Sequence, residues 1–468
     1  MATSRLKQFC LKLRFKSTQL FIVAGAVLLS LLVTLLCIGL TIRYEVEHEV
    51  ANVADVDYWK DQVSAAQKVW YDKGIEELKQ ALRIYSPQTQ PRQVLMLLIS
   101  GISAPTLAAA RFRDELQHSP FVWDQFPHVA RIKNSCSSRS PCDANSVYRS
   151  LFSGVPLNEV VNQPCNHTLH SVLRQAQLAG LRTGFVTNQR ITGAAAAALV
   201  ASSSWECDGL MPVGLIDSGC QDVAQQLIFS EAGQALNVLL GGGRQLLSAK
   251  VPVYSWDPLD EQLCRARSGR NLLRDWRNQK LKLQPKQRFE LLQLATELST
   301  LNATNLDYLW GVFANENLHQ NSQAPSLELM LNKTLEVLQR PGVGHLLIVE
   351  HVLQTAVAAT QQLRQLNETL ANFIQQQKNT LTLVLLTNGN YLSSSRDVSE
   401  ETENFNLLEE FFELTEVELQ LQMQKLPSES LLFAKGPKSL LFYGVHEETY
   451  LAHALAYALG LNDFNNQL

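Results

Sequence analysis

The chain has 468 residues, of which 40 are basic and 44 acidic, giving a formal net charge of −4, and 46% of it is hydrophobic. That length and apolar content can fill one large core or two ordinary ones, and the balanced charge offers no basic field of the kind nucleic acid requires. The charge is unevenly placed, because Arg5, Lys7, Lys12, Arg14 and Lys16 stand in the first 16 residues without any acid, leaving 35 bases against 44 acids in the remainder.

From Ser17 to Ile42 there is no charged residue, and "LFIVAGAVLLSLLVTLLCIGL" is nearly all apolar. About 20 such residues cross a bilayer as a helix. Bases before the span, with Glu45, Glu47 and Glu49 after it, put the N-terminus in the cytoplasm. The expectation is a cytoplasmic tail over 1–18 and a transmembrane signal-anchor over 19–42, which makes the chain a single-pass type II membrane protein of the plasma membrane or secretory pathway. A long cleaved signal peptide is the alternative. The C-terminal "ALGLNDFNNQL" has no hydrophobic tail, which argues against a glycolipid anchor.

Two signals agree with an extracellular or lumenal position for the rest. Asn166, Asn302, Asn332 and Asn367 each open an N-glycosylation sequon. Six cysteines lie beyond the span (Cys136, Cys142, Cys165, Cys207, Cys220 and Cys264), an even number suited to an oxidising compartment, at spacings that match no zinc ribbon or finger.

"ANVADVDYWKDQVSAAQKVWYDKGIEELKQALRIY" (Ala51–Tyr85) reads as an amphipathic helix stopped by the prolines of "SPQTQP". It falls in an N-terminal arm and linker over 43–92, ahead of a main domain over 93–468. Within that domain, Val94–Ile99, Leu236–Leu240, His345–Val349 and Thr380–Leu386 are continuous apolar runs that read as buried strands. "PTLAAARFRDEL", "PSLELMLNKTLEVLQR" and "LQTAVAATQQLRQLNETLANFIQQQ" have helical spacing, and the alanines Ala194–Ala198 fit a short packed helix. The fold class expected is α/β, a central, mostly parallel sheet sandwiched by helices and preceded by one transmembrane helix. Ligands in such sheets bind beyond the carboxyl ends of the strands, where this chain has "SGIS", "GGGR", "EHVLQT" and "TNGNY".

These pieces, with "AAAR" (Ala108–Arg111), "GFVTNQR" (Gly184–Arg190), "GCQDVAQQLI" (Gly219–Ile228), "VLLGGGR" (Val238–Arg244) and "FAKGPKSLLFYGV" (Phe433–Val445), resemble in order the animal membrane-bound alkaline phosphatases. The resemblance implies an alkaline phosphatase-like fold, and for an intact member two zinc ions, one magnesium, a serine nucleophile and a phosphate-clamping arginine. Laid over "DANSVYRSLFSGV", the family pattern keeps Asp143 and puts Ala144 where the nucleophile belongs. The metal-bridging Asp falls on Ser100, the magnesium-site His and Ser/Thr on Gly193 and Ala195, and the clamping Arg on Ser203. Two further zinc ligands fall on Thr355 and Ala359, and another Asp–His pair on Asn388 and Gly389. The last zinc-binding His falls on Lys425. Of these positions only Glu350 keeps a metal-binding side chain, a candidate for a weak Mg²⁺ or Ca²⁺.

The expectation is therefore a pseudoenzyme with no cofactor, acting by binding or dimerisation. An active phosphatase with a rearranged site, and a cleft reused for an uncharged or cationic ligand, are the alternatives. The resemblance also implies a Cys165–Cys220 disulfide, leaving the pairing of Cys136, Cys142, Cys207 and Cys264 open. It implies a homodimer, or a heterodimer with an active paralogue, with Ala51–Tyr85 similar to the segment that embraces the neighbouring subunit. His351 is weighed as a substitute ligand beside Glu350, Arg190 as a loop-orienting or structural residue, and Arg149 as part of a solvated face. "GGGR" lacks the Lys-Ser/Thr of a phosphate loop and reads as a structural turn.

Overall fold

Ten strands form one sheet in the computed structural model. They are β1 (Gln93–Ser100), β2 (His128–Lys133), β3 (Arg182–Arg190), β4 (Val238–Gly242), β5 (Phe289–Leu292), β6 (Tyr308–Val312), β7 (His345–Val352), β8 (Thr380–Thr387), β9 (Ser430–Lys435) and β10 (Gly444–Glu447). The order is β10-β2-β9-β8-β1-β7-β3-β4-β6-β5. Only β9 runs against its neighbours, antiparallel to β2 and β8, so the expected mostly parallel sheet is present as a mixed one. The described residues are 65–82, 91–102, 120–133, 144–156, 170–200, 205–387 and 429–461, apart from 262, 268, 284–285, 354–355 and 378, together with Thr34, Leu107, Ala110 and Arg111.

The strands of the sheet centre are apolar on both sides because helices cover both faces. Successive side chains in a strand point to opposite faces, so Leu347 and Val349 of β7 join Leu95, Leu97 and Ile99 of β1 in one core layer. Two helices close that layer. One is Leu327–Leu338, contributing Met330, Leu331 and Leu335, and the other is Ala356–Gln376, contributing Leu363, Leu366 and Leu370. The opposite face is covered by α1 (Ala65–Leu82), α2 (Ala144–Ser153), α3 (Ala194–Val200), α4 (Leu272–Leu283) and, later in the chain, Glu448–Leu459. The three remaining named helices are thus α5 (Leu327–Leu338), α6 (Ala356–Gln376) and α7 (Glu448–Leu459).

Ser326 starts α5 by accepting a hydrogen bond from the Leu329 amide. Gly460, in the left-handed region at φ 70°, ends α7. The arm helix packs inside its own chain, since α1 lies on α7 with Tyr71 edge-on to the His453 ring at 6.2 Å. Residues 62–468 form one compact unit, so the helical part of the arm belongs with the sheet.

Three of the four expected strands stand within a residue or so of their expected starts. The fourth, expected at Leu236, begins at Val238, because Leu236 closes the short helix Glu231–Ala235 and Asn237 spends its side chain on Thr183 and Asp307. Among the described residues no helix is long and apolar enough to cross a membrane. The expected span over 19–42 lies outside the described residues except Thr34.

Candidate functional site

Strand register brings four polar side chains to the carboxyl end of the sheet centre. Ser100 of β1 stands beside Thr387 of β8, and Thr187 of β3 beside Glu350 of β7. Ser100, Thr187, Glu350 and Thr387 are all buried. Above them, α2 begins at Ala144 and drops Tyr148, four residues on, toward the same point. Residues four apart share a helix face, so positions 144 and 148 lie on one side of α2.

The side chains make two hydrogen-bonded groups, Thr387–Ser100–Tyr148 and Thr187–Glu350. Thr387 Oγ1 donates to Ser100 Oγ at 3.0 Å, and Ser100 Oγ lies 2.9 Å from Tyr148 OH. The Glu350 carboxyl lies near enough to act electrostatically on the Tyr148 phenol. From the other side, Thr187 Oγ1 donates to Glu350 Oε2 at 2.6 Å and itself accepts from the Gln189 amide at 2.9 Å. Burial raises the Glu350 carboxyl to about pH 7, against the opposing pull of Thr187, Arg190 and Tyr148. Burial and the Glu350 charge both push the Tyr148 phenol upward, so it stays a neutral donor.

This donor set does not fit zinc. Catalytic and structural zinc sites take three or four thiolate, imidazole or carboxylate ligands, and here one carboxyl faces four neutral hydroxyls. Among the described residues no three His, Cys, Asp or Glu side chains converge. Mg²⁺ and Ca²⁺ need about six or more oxygens, whereas these oxygens are already engaged with one another.

The remaining candidates are distributed around this centre. Gly193 follows β3, its amide bonded to Arg190 O at 2.9 Å, and Ala195 is fully buried in α3, which packs on α2. Ala359 lies in the first turns of α6. Ser203, Thr355, Asn388, Gly389, Asp143 and Lys425 lie outside the described residues. His351 does not join Glu350, because neighbours in a strand face opposite ways. It lines a separate cavity of about 380 Å³ against α5 and α6, and burial lowers its imidazole to about 4. Arg149 is half-buried rather than on a solvated face.

Arg190 is locked into structure. Its Nε and Nη2 reach the two Glu206 oxygens at 2.8 Å each, and Nη1 lies 3.4 Å from Glu316. "GGGR" is likewise a turn: Gly243 has φ 98°, and a side chain at Gly242 would stand 2.0 Å from Glu316 O. Cys207 and Cys264 are joined in a disulfide. Cys220 is also disulfide-bonded, while Cys136, Cys142 and Cys165 lie outside the described residues. Of the sequons, Asn302 and Asn332 are exposed, Asn367 is half-buried with Oδ1 accepting from the Val122 amide at 2.7 Å, and Asn166 lies outside the described residues.

Comparison with solved structures defines the class. An alkaline phosphatase from the Antarctic bacterium TAB5 superposes with a TM-score of 0.53 at 15% identity, covering 80% of this chain and 100% of that one. The Thermus thermophilus alkaline phosphatase gives 0.53 at 17%, covering 80% and 92%. At such identities the likeness establishes the fold. Sequence carries the assignment further, for the alkaline phosphatase family model matches residues 91–389, and the chain belongs to that family. It is 27% identical to the human tissue-nonspecific alkaline phosphatase, over 84% of this chain and 88% of that protein. To a membrane-bound alkaline phosphatase of Bombyx mori it is 30% identical, over 55% of this chain and 51% of that one.

Proposed function

We propose that this chain is a type II membrane glycoprotein whose alkaline phosphatase fold serves binding and dimerisation, as a homodimer or with an active paralogue, and not phosphomonoester hydrolysis. One observation carries the reading: Thr387, Ser100 and Tyr148 are hydrogen-bonded in series and Glu350 to Thr187, so these oxygens, which face the place where the family resemblance puts the metals, are already engaged. Ala144 opens α2 without a hydroxyl, so no phosphoseryl intermediate can form there. In one well-studied hydrolase, loss of the nucleophile alone costs a factor of roughly 10⁶ in turnover.

Family membership favours the second reading, an active phosphatase with a rearranged site. Purified full-length protein, assayed on a phosphomonoester at alkaline pH with zinc and magnesium and measured for bound metal, separates them. The expected result is background turnover and far less than one zinc per chain. Robust turnover or two tightly held zinc ions would establish the second reading.

A further inference from the structure

Helix α4 and the turn after it carry Arg274, Arg277, Lys282, Lys286 and Arg288, all exposed. Among the described residues none of these five side chains makes an ion pair or a hydrogen bond. Several exposed or half-exposed bases elsewhere do find acids: Arg111 pairs with Asp124, Arg131 with Glu429, Lys133 with Glu447 and Lys333 with Glu336. The acids in and beside this stretch are the half-buried Asp275, the exposed Glu290 and Asp307, whose Oδ2 accepts from the Arg288 amide at 3.0 Å, so five exposed bases face three acids on a chain whose net charge is −4.

The helix is built to present that surface. Its inner side, Leu272, Leu273, Trp276 and Lys280, is buried, with Trp276 stacked on Trp310 of β6 at 4.7 Å. Positions 274, 277, 278, 281 and 282 then fall on one outer stripe by helical periodicity. Arg274 and Lys282 are about 12 Å apart along the axis at 1.5 Å per residue. Trp310 faces α4, while its neighbour Leu309 belongs to the core layer of α5. The exposed Asn332 sits on α5, and the backbone around Asn302 is held by α5 through Lys333 Nζ to Leu301 O at 2.6 Å. Both exposed sequons therefore belong to the other face of the sheet, and any glycans there leave α4 uncovered.

We infer that this stripe is a docking surface for a linear sulfated polysaccharide of the cell surface. Guanidinium and ammonium groups pair with sulfate oxygens as they do with phosphate, and a row of unpaired cations suits a polymer of regularly spaced anions. An anionic bilayer is disfavoured as occupant, because the stripe offers a single large exposed apolar side chain, Leu281, and interfacial helices need a broad apolar face.

The inference rests on the extracellular placement proposed above. Full-length protein in neutral detergent, run on immobilised heparin, tests the stripe, while surface biotinylation of intact cells independently reads the placement. Wild-type protein is expected to be retained well above physiological salt. The Arg274→Gln/Arg277→Gln/Lys282→Gln variant is expected to bind at least about tenfold more weakly with a shallower salt dependence, since fewer counterions are released. A Lys250→Gln/Arg265→Gln control should elute with wild type. Equal shifts in both variants, no retention of wild type, or binding to phosphatidylserine vesicles in place of heparin would overturn the inference. Circular dichroism of each variant shows that it is folded.

Discussion

Glu350 is a carboxyl whose ordinary value of 4.5 is raised by burial to about 7, and this has a consequence for stability. Below about pH 4.5 the group is protonated in both folded and unfolded chains, and its contribution is fully present. Between 4.5 and 7 the unfolded chain ionises while the folded one resists, so stability falls as pH rises, and the loss is complete above 7. Gln at this position keeps the shape and cannot ionise, and its carbonyl oxygen can accept from Thr187 Oγ1 as the carboxylate does. Glu350→Gln is therefore expected to match wild type in melting temperature near pH 5 and to exceed it at pH 8. A variant destabilised equally at both pH values would mean that the centre needs the anion. Ala144, Ser100 and Glu350 could be singled out in the sequence, because each is a single position in a segment that resembles the family's. The sequence did not display the hydroxyls of Tyr148, Thr187 and Thr387 beside them, since hydrogen bonds among four strands and a helix appear only once register is known. The i, i+4 relation of Ala144 and Tyr148 was the available hint.

Among the elements, the connection from Ser248 to Arg270 depends most on a covalent tie. It has isolated bridges such as Tyr254 to Asp257 in place of a ladder, and it is pinned by the buried Arg244–Asp257 ion pair and by Cys207–Cys264, which are 57 residues apart. Closing a loop of that length restricts the unfolded chain, typically by about 2–5 kcal/mol for a native bridge. The Cys207→Ala/Cys264→Ala variant should lose that much unfolding free energy, read from a lower denaturant midpoint, and exchange amides faster across 249–263. Unchanged exchange there would show that Arg244, Asp257 and Asn315 hold the connection alone. The pairing was open in the sequence because the spacing of four remaining cysteines permits several connectivities. The long central strands were legible because burial on both faces writes continuous apolar runs. Short edge strands such as β10 and half-exposed ones such as β2 carry no such run, and their pairing is set by tertiary neighbours.

For the whole molecule, the question is what replaces the stabilisation that bound metals give a folded chain. A ligand that binds only the native state stabilises it by RT ln(1 + [L]/Kd), several kcal/mol for a tightly held ion, and stripping it from a site lined with carboxylates would leave like charges buried together. Here the sheet centre is closed by hydroxyls and one carboxyl of raised pKa, and the layers on both sides are apolar, with Leu97, Val349, Val384 and Phe152 at 2% exposure or less. On the proposed reading neither term depends on a cation. The folded chain of 468 residues is expected to keep its melting temperature to within about 2 °C in excess chelator, a shift worth no more than roughly 2 kcal/mol at about 2.1 cal/mol/K per residue. The measurement is a calorimetric scan of full-length protein with and without chelator at one pH. An active, metal-loaded alkaline phosphatase run beside it supplies the contrast, since its transition should fall markedly. A comparable fall in this chain would mean that cations hold its centre together and that the hydroxyl chain forms only in their absence.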